Sequence, residues 1–125
     1  MKKIKDIKGM KDVFESYPVY NHILNRSRPI LENLGYQRLI QNVVERQETF
    51  TRTLGVSSDI VQKEMYAFKD LGNNDLVLRP EGTAGAIRQM LNTPNLMQFI
   101  EKEPVKMWYW GPMYRYERPQ AGRLR

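Results

Sequence analysis

The segment LRPEGTA places together two side chains that can bind a cationic group. Glu81 and Thr83 are separated by one residue, at a predicted junction between a strand and a helix. A carboxylate and a hydroxyl can both accept hydrogen bonds from a group such as the α-ammonium of an amino acid. An acidic residue beside a helix N-terminus also fits a structural role, as a cap that complements the helix dipole. The spacing leaves both interpretations of Glu81 open. Arg79 could either orient Glu81 or be a surface charge.

Arg115 and Glu117 form a second candidate pair, in front of a basic loop that also contains Gly122 and Gln120. The pair alternates along a predicted strand and therefore projects from one face of it. Four arginines lie within eleven residues: Arg115, Arg118, Arg123 and Arg125. A guanidinium binds two phosphate oxygens with a fixed fork geometry, so this pattern favours an anion site. The structural alternative is an ion pair within the strand and a solvated loop.

The aromatic residues of the same predicted strand include Trp108, Trp110, Tyr114 and Tyr116. Aromatic residues at alternating strand positions more often belong to a core than to a platform on which bases stack. Elsewhere, no Gly-rich turn has the spacing of a Walker loop or a dinucleotide fingerprint. A nucleotide site in this chain would therefore have to use arginines on a sheet.

Composition excludes several classes of protein and of site. The 125 residues suit a single domain, and the apolar share of 41% is sufficient for a core. The absence of cysteine excludes disulfides and thiolate zinc sites, and a single histidine, His22, cannot build a histidine metal centre. The net charge of +6 fits either a solvated surface or a polyanionic partner. With neither a signal peptide nor an apolar run of membrane-span length, we expect a cytoplasmic protein.

Hydrophobic periodicity predicts two helices and a strand in the first half of the chain. Ser16 and Pro18 suit the start of a helix that ends at Gly35, and Pro29 is expected to kink it. A β-branched and aromatic run then predicts a strand over Tyr36–Val44. A short helix over Glu45–Leu54 follows, and the polar stretch after it reads as a loop as far as Glu64.

The second half predicts a hairpin, a helix and a final strand. Met65–Lys69 and Leu76–Arg79 flank the turn sequence DLGNND, which suits a β-hairpin. Thr83 is predicted to cap the next helix, and a short amphipathic piece over Leu96–Glu101 precedes the strand that begins at Trp108. This order of elements predicts an α+β fold with a mainly antiparallel sheet flanked by helices.

Four blocks of sequence resemble the N-terminal part of the catalytic domain of class II histidyl-tRNA synthetases. They are Ile7–Asp12 (IKGMKD), Asp59–Tyr66 (DIVQKEMY), Leu78–Ala84 (LRPEGTA) and Gly111–Arg123 (GPMYRYERPQAGR). The resemblance implies a motif 1 region at about residues 17–46 and a motif 2 region begun at about residues 105–125. By the same resemblance, residues 1–125 are a portion of one catalytic domain, with no second domain present.

The resemblance also implies an activity, histidine–tRNA ligation, and a role for each candidate residue. Histidine would be activated with ATP to histidyl-adenylate and then transferred to tRNA(His) by a homodimer. Glu81 and Thr83 would hold the α-ammonium of histidine, and Arg115 would bind the α-phosphate of ATP and act in catalysis. Glu117 would lie near the adenine amino group and Arg123 near the outer phosphates. Mg²⁺ is expected with ATP, and no protein-bound metal is predicted.

The sequence departs from the family pattern in three places. Asn42 stands where motif 1 usually has a proline at the dimer interface, and Pro29 interrupts a helix that is normally free of proline. The chain also stops inside the motif 2 loop, so we expect it to be a fragment of a longer enzyme that has little activity alone. Two alternatives stay open: a non-catalytic paralogue, such as the regulatory subunit of ATP phosphoribosyltransferase, or a basic RNA-binding module.

Overall fold

The computed structural model describes residues 3–7, 10, 12–55, 57–95 and 103–117. Its helices are α1 (Tyr17–Asn33), α2 (Gln47–Leu54) and α3 (Thr83–Leu91), with a π-helical turn at Ile60–Glu64. Its strands are β1 (Gln37–Arg38), β2 (Val44–Arg46), β3 (Ala67–Lys69), β4 (Asp75–Leu78) and β5 (Met107–Trp108). Within the described residues, no helix is long and apolar enough to cross a membrane.

Helix α1 confirms the prediction of a long first helix. Ser16 occupies the N-cap position and Pro18 lies in the first turn, where a missing backbone donor costs nothing. After the helix, Gly35 adopts a φ of 80°, a left-handed conformation that glycine tolerates well. The helix continues through Pro29, and none of its residues is buried by the described part of the chain.

The predicted strand over residues 36–44 is wrong in its extent, because the chain forms two short strands there. Strand β1 pairs in parallel with β5, whereas β2 pairs antiparallel with β4. Between them, the carbonyl groups of Gln41 and Asn42 accept hydrogen bonds from the Arg79 side chain. Because these two carbonyls bond to a side chain, the predicted strand is interrupted between β1 and β2.

The predicted hairpin is confirmed, and it forms most of a three-stranded antiparallel sheet in the order β2-β4-β3. Lys69 and Asp75 are register partners at the end of the hairpin. In the turn, an Asp70 carboxylate oxygen accepts hydrogen bonds from the amides of Gly72 and Asn74, each at 2.9 Å. Asp70 thus supplies the turn's local hydrogen bonds, as Asp often does in turns.

The small core lies between this sheet and the two helices that follow its strands. Phe50 of α2, Val77 of β4 and Ala84 of α3 are buried together, with Leu54 and Met65 packed against them. Because β4 leads directly into α3, this packing fixes the position of the connecting residues 79–82. The architecture is α+β with a mainly antiparallel sheet, as the sequence predicted, although the β1–β5 pair is parallel.

Two further predictions from the sequence need correction. The stretch expected to be a loop before Glu64 contains the π-helical turn. The strand expected from Trp108 onward ends at that residue, because β5 covers only Met107–Trp108. Residues 96–101, where a short amphipathic piece was expected, lie outside the described residues.

Candidate functional site

An open cleft of about 1340 Å³ brings together side chains from both candidate pairs. Glu81 and Thr83 line it from the junction between β4 and α3, and Arg115 lines it from the segment after β5. Residues that precede α1, among them Lys5 and Asp12, contribute further charges to the wall of the cleft. The cleft therefore presents a carboxylate, a hydroxyl and a guanidinium to one space, which suits a ligand that carries both a cation and an anion.

Glu81 caps helix α3, in agreement with the structural interpretation of this residue. Its carboxylate accepts hydrogen bonds from the backbone amides of Thr83, at 2.5 Å, and Ala84, at 2.8 Å. Thr83 is the first helical residue, so the prediction that Thr83 itself caps the helix is wrong. A carboxylate offers about four lone-pair positions. Two backbone donors therefore leave it with acceptor capacity, and the cap role does not exclude a ligand.

The side chains of Gln41 and Tyr109 pack closely against Gly82 and Thr83. The side-chain amide of Gln41 donates to the carbonyl oxygen of Gly82 at 2.5 Å. The hydroxyl groups of Thr83 and Tyr109 are 3.3 Å apart. A Cβ added at Gly82 would overlap the Tyr109 ring and crowd the Gln41 amide, so the close approach of these side chains requires glycine.

Arg115 is fixed by contacts of its side chain and of its neighbours' backbone. Its Nε atom donates to the carbonyl oxygen of Pro80 at 3.0 Å. The amide of Tyr114 donates to the carbonyl of Arg79 at 2.9 Å, and the amide of Tyr116 donates to that of Glu64 at 2.7 Å. Although this segment is not part of a strand, its backbone is attached on both sides of Arg115.

The other two predicted ATP contacts have different positions in the structure. Glu117 is half-buried, and it is not among the described residues that line the cleft. Arg123 lies outside the described residues, as does the rest of the basic loop from Arg118 onward. The structure therefore brings together Glu81, Thr83 and Arg115, and it does not bring Glu117 to the same wall.

Arg79 is a positioning residue whose contacts the sequence did not predict. Its side chain is 6% exposed, so the interpretation as a surface charge is wrong. The guanidinium donates to the carbonyl oxygens of Pro112, Gln41 and Asn42 at 3.0, 3.1 and 3.4 Å. These backbone acceptors carry no residue-type signal, which is why spacing gave no indication of them.

An ion pair with a buried carboxylate joins α3 to the sheet. Arg88 of α3 and Glu45 of β2 approach to 2.8 Å, and Glu45 is only 6% exposed. This pair connects the helix whose N-terminus Glu81 caps to the central sheet. Sequence spacing does not indicate this pair, because the partners are 43 residues apart.

The aromatic residues after Met107 divide between core and surface. Trp108 is buried, which confirms the core interpretation for that residue, and the guanidinium of Arg38 lies over its ring. Trp110 and Tyr116 are exposed, so the core interpretation is wrong for them. Trp110 makes an edge-to-face contact with Tyr20 of α1, and Tyr116 makes one with Tyr66.

A model of the histidyl-tRNA synthetase family matches residues 10–125. The chain belongs to this family. It is 43% identical to the histidine–tRNA ligase of Sulfurovum sp. (strain NBC37-1) over 125 residues, which is 98% of this chain and 30% of that protein. It is also 43% identical to the histidine–tRNA ligase of Halorhodospira halophila, covering 99% of this chain and 29% of that protein.

Solved structures of histidyl-tRNA synthetases have the same fold. The apo enzyme of S. aureus superposes with a TM-score of 0.73 at 30% identity, covering 93% of this chain and 30% of that chain. A Bacillus halodurans protein described as an ATP phosphoribosyltransferase regulatory subunit/histidyl-tRNA synthetase gives 0.70 at 24% identity, covering 92% and 28%. At that identity the second match supports the fold alone. The chain spans about 30% of the length of the curated relatives that it matches.

Proposed function

We propose that this chain is part of a histidine–tRNA ligase, in which it supplies half of the site that activates histidine with ATP. The observation that carries the proposal is the single cleft lined by Glu81, Thr83 and Arg115. Because the chain matches the histidyl-tRNA synthetase family over residues 10–125, the proposed substrates are histidine, ATP and tRNA(His). In this proposal, the rest of the site corresponds to the other 70% or so of the relatives' length.

In this proposal, Glu81 and Thr83 bind the α-ammonium group of histidine. The carboxylate of Glu81 is already oriented by two amides of α3, so little conformational entropy is lost when a ligand binds. An ammonium group has three donors, and the carboxylate and hydroxyl oxygens accept two of them. Holding the ammonium in this way would direct the carboxylate of histidine toward ATP.

Arg115 is proposed to bind the α-phosphate of ATP. In the first step, a carboxylate oxygen of histidine attacks the α-phosphorus, and the bond from that phosphorus to the pyrophosphate leaving group breaks. Negative charge builds up on the phosphoryl oxygens, so a fixed guanidinium stabilises the transition state more than the ground state. The bond from Arg115 Nε to the Pro80 carbonyl supports this role, because it holds the guanidinium before ATP arrives. The histidyl group would then pass to the terminal ribose of tRNA(His).

The remaining assignments follow from the family. Glu117 is proposed to contact the adenine amino group and Arg123 the outer phosphates. The described residues contain no group of three or more His, Asp or Glu side chains that could hold a metal ion. Mg²⁺ is proposed to arrive with the phosphates of ATP, as the resemblance to the family implies. A cytoplasmic location is proposed as well, since tRNA charging serves translation there.

We also propose that the enzyme is a homodimer, with α1 at or near the interface. Helix α1 carries apolar residues that include Val19, Ile23 and Ile30, and all three are exposed. No residue of α1 is buried by the described part of the chain. A second copy of the enzyme is the proposed cover, and light scattering with Ile23→Asp tests it. The prediction is a shift from dimer to monomer, whereas an unchanged mass contradicts the proposal.

A non-catalytic paralogue is the second candidate, because the Bacillus halodurans structure shares the fold. A regulatory subunit has no need of contacts to both an ammonium group and an α-phosphate. The presence of Glu81, Thr83 and Arg115 in one cleft therefore favours the enzyme. A basic RNA-binding module predicts salt-sensitive RNA binding without dependence on ATP.

The test is histidine-dependent exchange of pyrophosphate into ATP. It requires this chain continued past Arg125 to the length of its curated relatives, which we call the extended protein. We expect the extended protein to catalyse exchange, the 125-residue chain to show little, and Arg115→Ala to reduce the rate at least about 100-fold. Arg52→Ala is the matched control, since Arg52 is 81% exposed and lies outside the cleft lining.

Two outcomes would contradict parts of this proposal. Exchange that survives Arg115→Ala would remove the phosphate role from that residue. Absence of histidine-dependent exchange in the extended protein would refute the ligase assignment and favour the regulatory paralogue.

A further inference from the structure

We propose that Tyr109 is a positioning residue for the ammonium site, acting through the hydroxyl of Thr83. The inference rests on the proposed binding of histidine by Glu81 and Thr83. The hydroxyl oxygens of Tyr109 and Thr83 lie 3.3 Å apart. Both residues line the same cleft as Glu81.

In this proposal the hydrogen bond has one direction, with the Thr83 hydroxyl as the donor and the Tyr109 oxygen as the acceptor. An ammonium group has only donors, so the Thr83 hydroxyl must use an oxygen lone pair to bind it. The hydroxyl then has its own proton to donate, and the Tyr109 oxygen is within reach as the acceptor. Tyr109 thus turns the Thr83 proton away from the ammonium and presents the lone pair to it.

The structure holds Tyr109 firmly enough for this task. Its neighbour Trp108 is buried in β5, and the carbonyl of Trp108 accepts a hydrogen bond from the amide of Leu39 at 2.8 Å. The Tyr109 ring lies so close to Gly82 that no Cβ fits between them. Because the ring is fixed, the Tyr109 hydroxyl has a fixed position. Less entropy is then lost when the Thr83 hydroxyl is ordered.

The first variant to test is Tyr109→Phe, which keeps the ring against Gly82 and removes only the hydroxyl. In pyrophosphate exchange by the extended protein, we expect the KM for histidine to rise about fivefold, the usual worth of one net hydrogen bond. The KM for ATP should not change. Tyr36→Phe is the matched control, because Tyr36 packs against Lys106 and lies outside the cleft lining.

Inhibition by two histidine analogues separates this role from a general structural one. Histidinol keeps the ammonium group, whereas imidazolepropionate lacks it. We expect Tyr109→Phe to weaken inhibition by histidinol about fivefold and to leave inhibition by imidazolepropionate unchanged. Equal weakening of both analogues would overturn the proposal, since it would indicate damage to the cleft as a whole.

A double-mutant cycle with Thr83→Val tests whether Tyr109 acts through Thr83. If it does, Tyr109→Phe will have no further effect on the KM for histidine once the Thr83 hydroxyl is gone. Additive effects, or an unchanged KM in the single variant, would overturn the proposal while the ligase assignment stands. An extended wild-type protein without histidine-dependent exchange would refute the ligase assignment, and this proposal with it.

Discussion

The guanidinium of Arg79 donates a hydrogen bond from Nε to the carbonyl oxygen of Pro112, at 3.0 Å. Its Nη1 atom donates to two further carbonyls, of Gln41 and Asn42. One buried side chain thereby joins the segment before β2, the end of β4 and the segment that carries Arg115. The two halves of the cleft are held at a fixed separation by this residue, although it does not line the cleft.

Arg79→Met is predicted to lower the free energy of unfolding by about 2–4 kcal/mol, because it leaves three carbonyl oxygens without their donor. Arg79→Lys should recover little, since one ammonium cannot reproduce the fork of the guanidinium. Chemical denaturation of the extended protein measures both. Arg52→Met is the control and should change stability by less than about 0.5 kcal/mol, as expected for an exposed i,i+4 pair. A similar loss for Arg79→Met and Arg52→Met would contradict the role given to Arg79.

The elements that the sequence predicted well are those with local causes. The hairpin at Asp70–Asp75 and the end of α1 at Gly35 depend on turn chemistry within a few residues. The strand predicted over residues 36–44 failed because its carbonyls bond to Arg79, far along the chain. The same distinction applies to the site: Glu81 and Thr83 follow from a local motif, whereas the contact with Tyr109 depends on tertiary packing.

Two glycines near the site are predicted to respond in opposite ways to alanine. At Gly82 a Cβ would overlap the Tyr109 ring, so Gly82→Ala should displace Tyr109 and raise the KM for histidine at least about tenfold. At Gly85, inside α3, the nearest atoms to a new Cβ are at 3.4 and 3.5 Å. Gly85→Ala should therefore be tolerated, with up to about 1 kcal/mol of added stability from helix propensity. Exchange kinetics and denaturation of both variants check the pair, and a tolerated Gly82→Ala would contradict the packing.

Removing one partner of the Glu45–Arg88 ion pair is predicted to lower the stability of the fold more than removing both partners. Arg88→Met leaves the buried Glu45 carboxylate uncompensated and should cost about 3–5 kcal/mol of stability. Replacing both residues, as Glu45→Met with Arg88→Met, should cost much less, because no charge is then left buried. A double-mutant cycle by denaturation measures this difference. Equal costs for the single and double variants would show that the pair contributes only packing.

Asp70 is predicted to make the hairpin sensitive to acid. Hydrogen bonds from the backbone amide and then the side-chain amide of Asn74, with a smaller contribution from Gly72, hold the pKa of Asp70 below its ordinary value of 3.8. A carboxyl whose pKa is lowered by folding stabilises the folded state at pH values above its unfolded pKa. That contribution is lost as the pH falls through the folded pKa.

Asp70→Ala should therefore lower the melting temperature of the extended protein near pH 7, and the difference from wild type should shrink below about pH 3.8. Asp70→Asn separates charge from turn geometry, because its amide oxygen can still accept from Gly72 and Asn74. Asp70→Asn should restore part of the lost melting temperature near neutral pH. Because an amide does not titrate, its contribution should not fall in acid. Asp59→Ala is the control, since Asp59 forms an exposed pair with Lys63 at 3.5 Å. A difference between wild type and Asp70→Ala that does not vary with pH would contradict the lowered pKa.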